Sequence, residues 1–264
     1  MPTHEPPVGT IDLSLIAPAH NEQENIAPLI LQAGAALAAT GLAYEMVIVD
    51  DGSTDGTRAK IAEMLTGRPW LRCIAMTQTP PGKGNGQSAA FYAGIRAARG
   101  RLIATIDADL QNDPADLPSM LTLLHASGAD MVQGDRSHAR KDNAIRKITS
   151  RVGRFFRALI LQDAVRDTGC SLRVLKREHA LLLPLQFRGM HRFIPVCVAH
   201  MGGKVVEMNV AHRPRVAGTT KYGFGIWQRA IPGLIDCFAV RYMRNRRRPT
   251  TSIPVLAKHT AANT

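Results

Sequence analysis

Apolar residues in this chain come in short blocks that stop abruptly at polar ones. Leu13-Ser14-Leu15-Ile16-Ala17, Met46-Val47-Ile48-Val49 and Leu102-Ile103-Ala104-Thr105-Ile106 are examples. Blocks of this length, rich in β-branched residues, read as buried strands. They predict strands near 12–17, 46–50, 71–76, 102–106 and 130–134. Between them the spacing lengthens. Ile26, Leu29, Ile30, Ala33 and Leu37 recur at helical intervals, which predicts a helix over 25–39. Asn25 stands where a cap belongs, Pro28 falls in the first turn, and Gly41 closes the segment. Further helices are expected near 55–65, 87–98 and 114–126. This alternation predicts an α/β fold: a Rossmann-like, mostly parallel sheet with helices on both faces. No internal repeat is evident.

The pattern changes near residue 136. Ile145, Ile148, Val152, Phe155, Phe156 and Leu159 form one stripe over 140–162, and Arg140, Lys147, Arg151 and Arg154 recur beside it. This is a basic amphipathic helix. A strand at 171–175, a helix at 192–201 and a strand at 204–210 are expected next. An Arg- and Gly-rich loop at 212–223 leads to a last helix near 224–243. The expected organisation is a catalytic domain over 11–222, a basic amphipathic segment over 223–248, and a disordered tail over 249–264.

Composition sharpens this. The chain has 264 residues and a formal net charge of +12. The first 135 residues hold 8 Lys/Arg against 15 Asp/Glu, and the remainder 25 against 6. The basic half suits a polyanion such as a phosphate or an anionic lipid headgroup, and the acidic half suits a metal ion. No stretch reaches the roughly 20 apolar residues of a spanning helix, because Gln228, Arg229, Asp236 and Arg241 interrupt the best one. The first residues lack the pattern of a signal peptide. Cys73, Cys170, Cys197 and Cys237 are widely spaced, as expected of reduced thiols in the cytosol.

The candidate chemistry sits where apolar blocks end. Pro18-Ala19-His20-Asn21-Glu22 follows the first strand and forms a loop fit to grip a base or ribose, although it also reads as a helix-start signal. Val47-Ile48-Val49 ends at Asp50-Asp51-Gly52-Ser53, where a plain turn would not need two adjacent acids. Leu102–Ile106 ends at Asp107-Ala108-Asp109-Leu110-Gln111. If the strand continues, Asp107, Asp109 and Gln111 share a face. Their oxygens suit Mg²⁺ or Mn²⁺ held against a diphosphate.

These motifs, with Gly86-Gln87-Ser88-x-Ala90, Gly134-Asp135-Arg136, Asp167-Thr168-Gly169-Cys170-Ser171-Leu172-Arg173 and Arg213-x-Arg215-x-x-Gly218-x-Thr220-Lys221-Tyr222, resemble the family 2 glycosyltransferases of GT-A fold. The resemblance spans roughly 11–243 and is nearest to the polyprenyl-phosphate branch, the dolichol-phosphate mannosyltransferases and undecaprenyl-phosphate glycosyltransferases. It implies inverting transfer of a sugar from GDP-mannose or a UDP-sugar to a polyprenyl phosphate. It also implies that Asp109 and Gln111 bind metal, that Asp107 supports metal and nucleotide, and that Asp50 binds the nucleoside.

The basic half fits a lipid-phosphate acceptor. Arg136 follows the fifth strand, and Arg146 and Ser150 lie one helical turn apart, so the three form a candidate phosphate clamp. Arg215 and Lys221 are placed to neutralise the departing diphosphate. Residues 179–206 hold no Asp or Glu. An alcohol acceptor needs a general base, whereas a phosphate monoester is already anionic, so the missing acid favours phosphate. His191 is the remaining candidate base. Longer relatives carry spanning helices after the Lys-Tyr motif. Here 140–162 and 224–243 are expected to lie on the cytoplasmic face of an anionic membrane as peripheral elements, or the second to pair with another copy in a homo-oligomer. Rival readings are transfer to a soluble acceptor or another lipid, a nucleic-acid-binding protein with a degenerate fold, and a nucleotidyltransferase. No nucleic-acid motif is present, and Pro18-Ala19-His20-Asn21 is not the Gly-rich loop a nucleotidyltransferase needs there.

Overall fold

The computed structural model describes residues 10–80, 82–138, 144–214 and 226–248, with only the backbone described at 144–152 and 226–231. Seven strands form one sheet: β1 (Leu13–Ala19), β2 (Tyr44–Asp50), β3 (Leu71–Ala75), β4 (Leu102–Thr105), β5 (Met131–Asp135), β6 (Arg173–Lys176) and β7 (Val205–Asn209). Their order is β3-β2-β1-β4-β6-β5-β7. The pairings of β1 with β2, β1 with β4, β2 with β3 and β5 with β7 are parallel, and β6 runs antiparallel between β4 and β5.

Strand periodicity sorts the core into two layers. On one face Leu13, Leu15, Ala17, Met46, Ile48 and Ala104 pack under α1 (Ile26–Ala38), α2 (Thr57–Leu65) and α4 (Leu117–Ser127). On the other, Ile16, Val47, Val49 and Ile103 pack against α3 (Gln87–Ala97), α6 (Arg177–Leu181) and α7 (Ile194–His200). α3 lies close because Gly94 faces the strands; a Cβ there would come within 2.4 Å of Ile16. The last turns of α5 (Ala144–Leu161) and the inner side of α8 (Ile226–Arg246) join this second layer through Ile160, Leu161, Cys237 and Val240. No helix among the described residues is long and apolar enough to cross a membrane. The four cysteines are unbridged.

Most expected elements are present within two or three residues, and four details differ. β4 stops at Thr105, one residue early. The five-residue α6 interrupts what read as loop. Both α4 and α7 open with a 3₁₀ turn, at Pro114–Asp116 and Met190–Phe193. Asn25 makes no side-chain cap on α1; its amide donates instead to Glu22 at 2.7 Å.

Candidate active site

β1 is flanked by β2 and β4, so successive connections diverge there and leave a crevice past the strand ends. The β1–β4 ladder ends at Ile16 and Thr105, with one last bond from Ile106 N to Ile16 O. Pro18 points its nitrogen the same way as Ile16, into the space where β4 has stopped. Proline is tolerated in this central strand because no partner remains for an N–H there.

The loops after β1 and β2 are stitched together. His20 Nδ1 donates to Asp51 O at 2.7 Å, and Thr54 N donates to Asn21 Oδ1 at 2.8 Å. Asn21 N meets Ser53 Oγ at 3.1 Å, and Glu22 N meets Thr57 Oγ1 at 2.8 Å. Asp50 is buried. It accepts from Ser53 N at 3.1 Å and from Arg58 Nε and Nη2 at 2.8 and 2.5 Å. The exposed end of this pair is the Arg58 guanidinium, whose side chain is 60% accessible. Asp51 is buried too, and accepts from Asn85 N at 2.9 Å and Gly86 N at 2.7 Å. A Cβ on Gly84 would come within 2.3 Å of that carboxylate, so the Gly82–Gly86 loop can close on Asp51 only with glycine there.

Asp107 and Asp109 lie past the end of β4, in a turn. Strand alternation therefore does not bring them together; the turn does, and Leu110 after it, in the left-handed region at φ 62°, redirects the chain toward Gln111. Gln111 N donates back to Asp109 Oδ1 at 3.2 Å. Ser171 braces the turn: Thr105 Oγ1 donates to Ser171 O at 2.5 Å, and Asp107 N and Asn112 Nδ2 reach Ser171 Oγ at 3.1 and 2.9 Å. Gln87, the first residue of α3, donates from Nε2 to Asp107 Oδ1. Burial pushes the Asp107 carboxyl up to about 6, and the charge of Asp109 adds to it; Ser171, Arg136 and Arg173 oppose the rise. A carboxylate destabilised by burial and by a second carboxylate beside it, at a half-buried rim, suits a hard divalent cation. Asp107, Asp109 and Gln111 therefore fit Mg²⁺ or Mn²⁺.

Across the cleft, charge of the other sign is buried. Arg136 is locked on Asp167, with Nε at 2.9 Å and Nη2 at 3.3 Å from the two carboxylate oxygens. This pairing outweighs desolvation and raises the arginine's pKa further. Arg173, fully buried, donates from Nη1 to His191 O at 2.9 Å and from Nη2 to Cys170 O, and desolvation lowers it to about 10. His191 shares a 2.8 Å bond with Ser88 Oγ. Burial, then Arg192 and Arg173, push it down to about 3, so it is neutral at physiological pH. The stretch without acids is not isolated from them: a Cβ on Gly189 would lie 2.7 Å from Asp236 Oδ2 of α8.

Arg146 and Ser150 fall on α5 four residues apart, where only the backbone is described. Arg215 and Lys221 lie outside the described residues. The segment before them is anchored beside the acidic turn, since Arg213 N donates to Gln111 O at 2.8 Å and its guanidinium pairs with Asp113 and Gln32. Asp130, Glu178 and His179 also bring three ligand atoms within 4.8 Å of one another. That group lies before the start of β5, at the opposite end of the sheet, and Lys176 already neutralises Asp130 at 2.7 Å.

Gln87, Asp167, Ser171 and Arg173 stood in the sequence motifs without a role, and Asp236 stood outside them. Most of their partners are distant in sequence, Gln87 and Asp107 by 20 residues, Asp167 and Arg136 by 31 and Ser171 and Thr105 by 66, so spacing carries no signal of these bonds.

A crevice at the strand ends, acids on one wall and arginines on the other, over a mixed sheet of this order, defines a glycosyltransferase of GT-A fold. Residues 14–181 match the family described as Glycosyl transferase family 2. The chain belongs to that family. It is 37% identical over 246 residues to the dodecaprenyl-phosphate galacturonate synthase of Rhizobium johnstonii, covering 92% of this chain and 70% of that protein. It is 31% identical over 236 residues to the undecaprenyl-phosphate 4-deoxy-4-formamido-L-arabinose transferase of Pectobacterium carotovorum, covering 88% and 69%. In structure it is similar to glucosyl-3-phosphoglycerate synthase from Mycobacterium tuberculosis in complex with Mn²⁺, UDP and glucosyl-3-phosphoglycerate. The TM-score is 0.65 at 19% identity, over 88% of this chain and 80% of that one.

Proposed function

We propose that this enzyme transfers a sugar from a UDP- or GDP-sugar to a polyprenyl phosphate at the cytoplasmic face of a membrane, with inversion. The observation that carries the reading is that the Asp107–Asp109 turn lies near a neutral histidine and two buried arginines, Arg136 held by Asp167 and Arg173 held by carbonyls, with no charged base among them. An anionic nucleophile needs no proton removed before it attacks, so such a set suits a phosphate better than an alcohol. The names of the two relatives, both polyprenyl-phosphate sugar transferases, support the same acceptor.

Asp107, Asp109 and Gln111 would hold Mg²⁺ or Mn²⁺, which when bound neutralises the leaving diphosphate. The loops bearing Pro18, Asn21, Glu22, Asp50 and Asp51 would cradle the nucleoside, and Arg215 and Lys221 the diphosphate. Arg146 and Ser150 would take the acceptor phosphate, with the Arg136–Asp167 pair behind them. The outer faces of α5 and α8 support membrane contact. Phe155, Phe156 and Leu159 on one, and Leu234, Ile235, Phe238 and Tyr242 on the other, are exposed, and Arg241, Arg244, Arg246, Arg247 and Arg248 follow.

Asp236 favours a second reading. Its carboxyl is raised by burial and sits against Gly189, so it is a candidate base for a hydroxyl acceptor. Labelled donor, Mn²⁺ and undecaprenyl phosphate in vesicles decide between the two. The expected product extracts into organic solvent, is acid-labile, and still forms with Asp236→Asn. Label appearing only in water-soluble acceptors, and lost in Asp236→Asn, would establish the second reading instead.

A further inference from the structure

The first turn of α3 meets three sides of the cleft. Gly86, at φ 92°, and Asn85 give their N–H groups to Asp51, so the carboxylate after β2 fixes where the helix starts. Gln87 then donates to Asp107 Oδ1, and Ser88, buried, bonds His191. The middle contact, from Gln87 to Asp107, touches neither the nucleoside loops nor the acceptor wall.

Asp107 presents a problem that this contact solves. Its N–H reaches Ser171 Oγ at 3.1 Å and the same hydroxyl favours its carboxylate, but a hydroxyl shared with the backbone and with Asn112 does not fix which oxygen turns toward Asp109. Repulsion from Asp109 would turn it away, and rotation would offer either oxygen or both. A small divalent cation demands near-ideal octahedral angles and is served by single oxygens at fixed positions. An arginine or lysine could hold Oδ1, but would cancel the charge the cation needs. A neutral amide holds it and leaves the charge in place.

Resting on the cation reading above, the geometry points to Gln87 as the positioning residue of that site: it occupies Oδ1 of Asp107, so that Asp107 offers one oxygen, Oδ2, beside Asp109. Gln87 touches neither donor nor acceptor in this role.

The test uses the full chain and no turnover. Binding of Mn²⁺ is followed by the paramagnetic resonance of the free ion, with UDP and in parallel GDP present but no sugar donor. Nucleotide binding alone is measured in EDTA by calorimetry. Gln87→Ala is expected to weaken Mn²⁺ about tenfold or more, the usual cost of losing an outer-shell partner, while nucleotide affinity in EDTA stays within about twofold. Gln87→Glu keeps the length and packing but replaces the donor with an acceptor, so it should lose Mn²⁺ affinity as well. Melting temperatures of both variants report whether the fold survives. Unchanged Mn²⁺ affinity in the two variants overturns the inference, as does an equal loss of nucleotide affinity without metal, which would make Gln87 part of the nucleotide site. Asp109→Ala separates the two levels. If it binds Mn²⁺ as the wild type does, the cation reading fails and takes this inference with it. If it loses the ion and the Gln87 variants do not, this inference alone fails.

Discussion

The two walls of the crevice are built by opposite means. On the donor wall the buried ionisable groups are carboxylates, Asp50 and Asp51, held by backbone N–H groups and by Arg58 where β2 ends. On the acceptor wall the large buried charges are guanidiniums, Arg136 and Arg173, held by Asp167 and by carbonyls. The donor wall is backed by strands covered on both faces. The acceptor wall is backed by α5 and α8, whose outer faces remain apolar and exposed. The acceptor wall's interior is nonetheless not simply positive: Asp135 and Asp167 are buried with Arg136 and Arg173, so its guanidiniums are held in place by partners rather than left as unpaired buried charges.

The largest effect that probes this contrast is on turnover. Asp109→Ala is expected to lower kcat by about 10²–10³-fold, the usual scale for removing one preorganised electrostatic group, with the melting temperature unchanged. Retention of full metal-dependent turnover would remove the acids from the donor wall's function.

The matching test on the acceptor wall reads stability. Asp167→Ala leaves Arg136 buried without its partner and also strips acceptors from the N–H groups of Arg136 and Gly169. A loss of about 3–5 kcal/mol in urea unfolding is expected. A loss below about 1 kcal/mol, the scale of an exposed pair, would mean that the arginine escapes to solvent and the wall is not prepaid for an anion.

Acidity gives a smaller effect of opposite sign on the donor wall. Asp107 is raised to about 6 in the folded protein, above the roughly 3.9 of an unfolded aspartate. At this carboxyl the native state then binds more protons than the unfolded one between those values, so its contribution to the stability of the metal-free protein is lost as pH rises from about 4 to about 6. Solvent at this half-buried rim limits the loss to about 1–2 kcal/mol. In EDTA, Asp107→Asn should remove that contribution, so its stability rises more steeply than wild type's between about pH 4 and 6, and it should melt higher than wild type at pH 7 while being inactive. A pH dependence identical to wild type's would place the titration elsewhere. His191 works in the opposite direction: held near 3 when folded, against about 6.5 unfolded, it binds its proton only in the unfolded state, so its contribution raises stability as pH climbs to about 6.5 and is constant above that.

The same contrast explains what could be read in advance. The strands of the donor wall were legible because apolar blocks ending in acids have few other uses, and Asp50, Asp51, Asp107 and Asp109 all lie at the rim. Strand alternation does not gather Asp107 and Asp109, because β4 ends at Thr105; the turn after it does, and the left-handed Leu110 that then redirects the chain to Gln111 is not announced by its residue type. The direction of β6 was hidden because residue types do not encode strand polarity. The acceptor wall was legible in charge but not in wiring. Arg136 looked like a free cation until Asp167, 31 residues on, closed over it. Asp236 came near the acid-free stretch only through helix packing.

The smallest effect separates the two components of the exposed helical face. Arg246 lies at the end of α8, its guanidinium 5.6 Å from the Tyr242 ring centroid. Each basic residue near an anionic bilayer contributes about 1 kcal/mol. Arg246→Ala should therefore weaken flotation with phosphatidylserine vesicles about fivefold at low salt. At 1 M salt the Debye length falls to about 3 Å, and the difference from wild type should vanish. Phe238→Ser removes apolar area instead, which salt does not screen, so its loss should persist at both ionic strengths. If neither variant changes flotation, while Phe238→Ser shifts the sedimentation of a dimer, the face is covered by a second copy of the chain. The basic helices would then serve the acceptor phosphate alone.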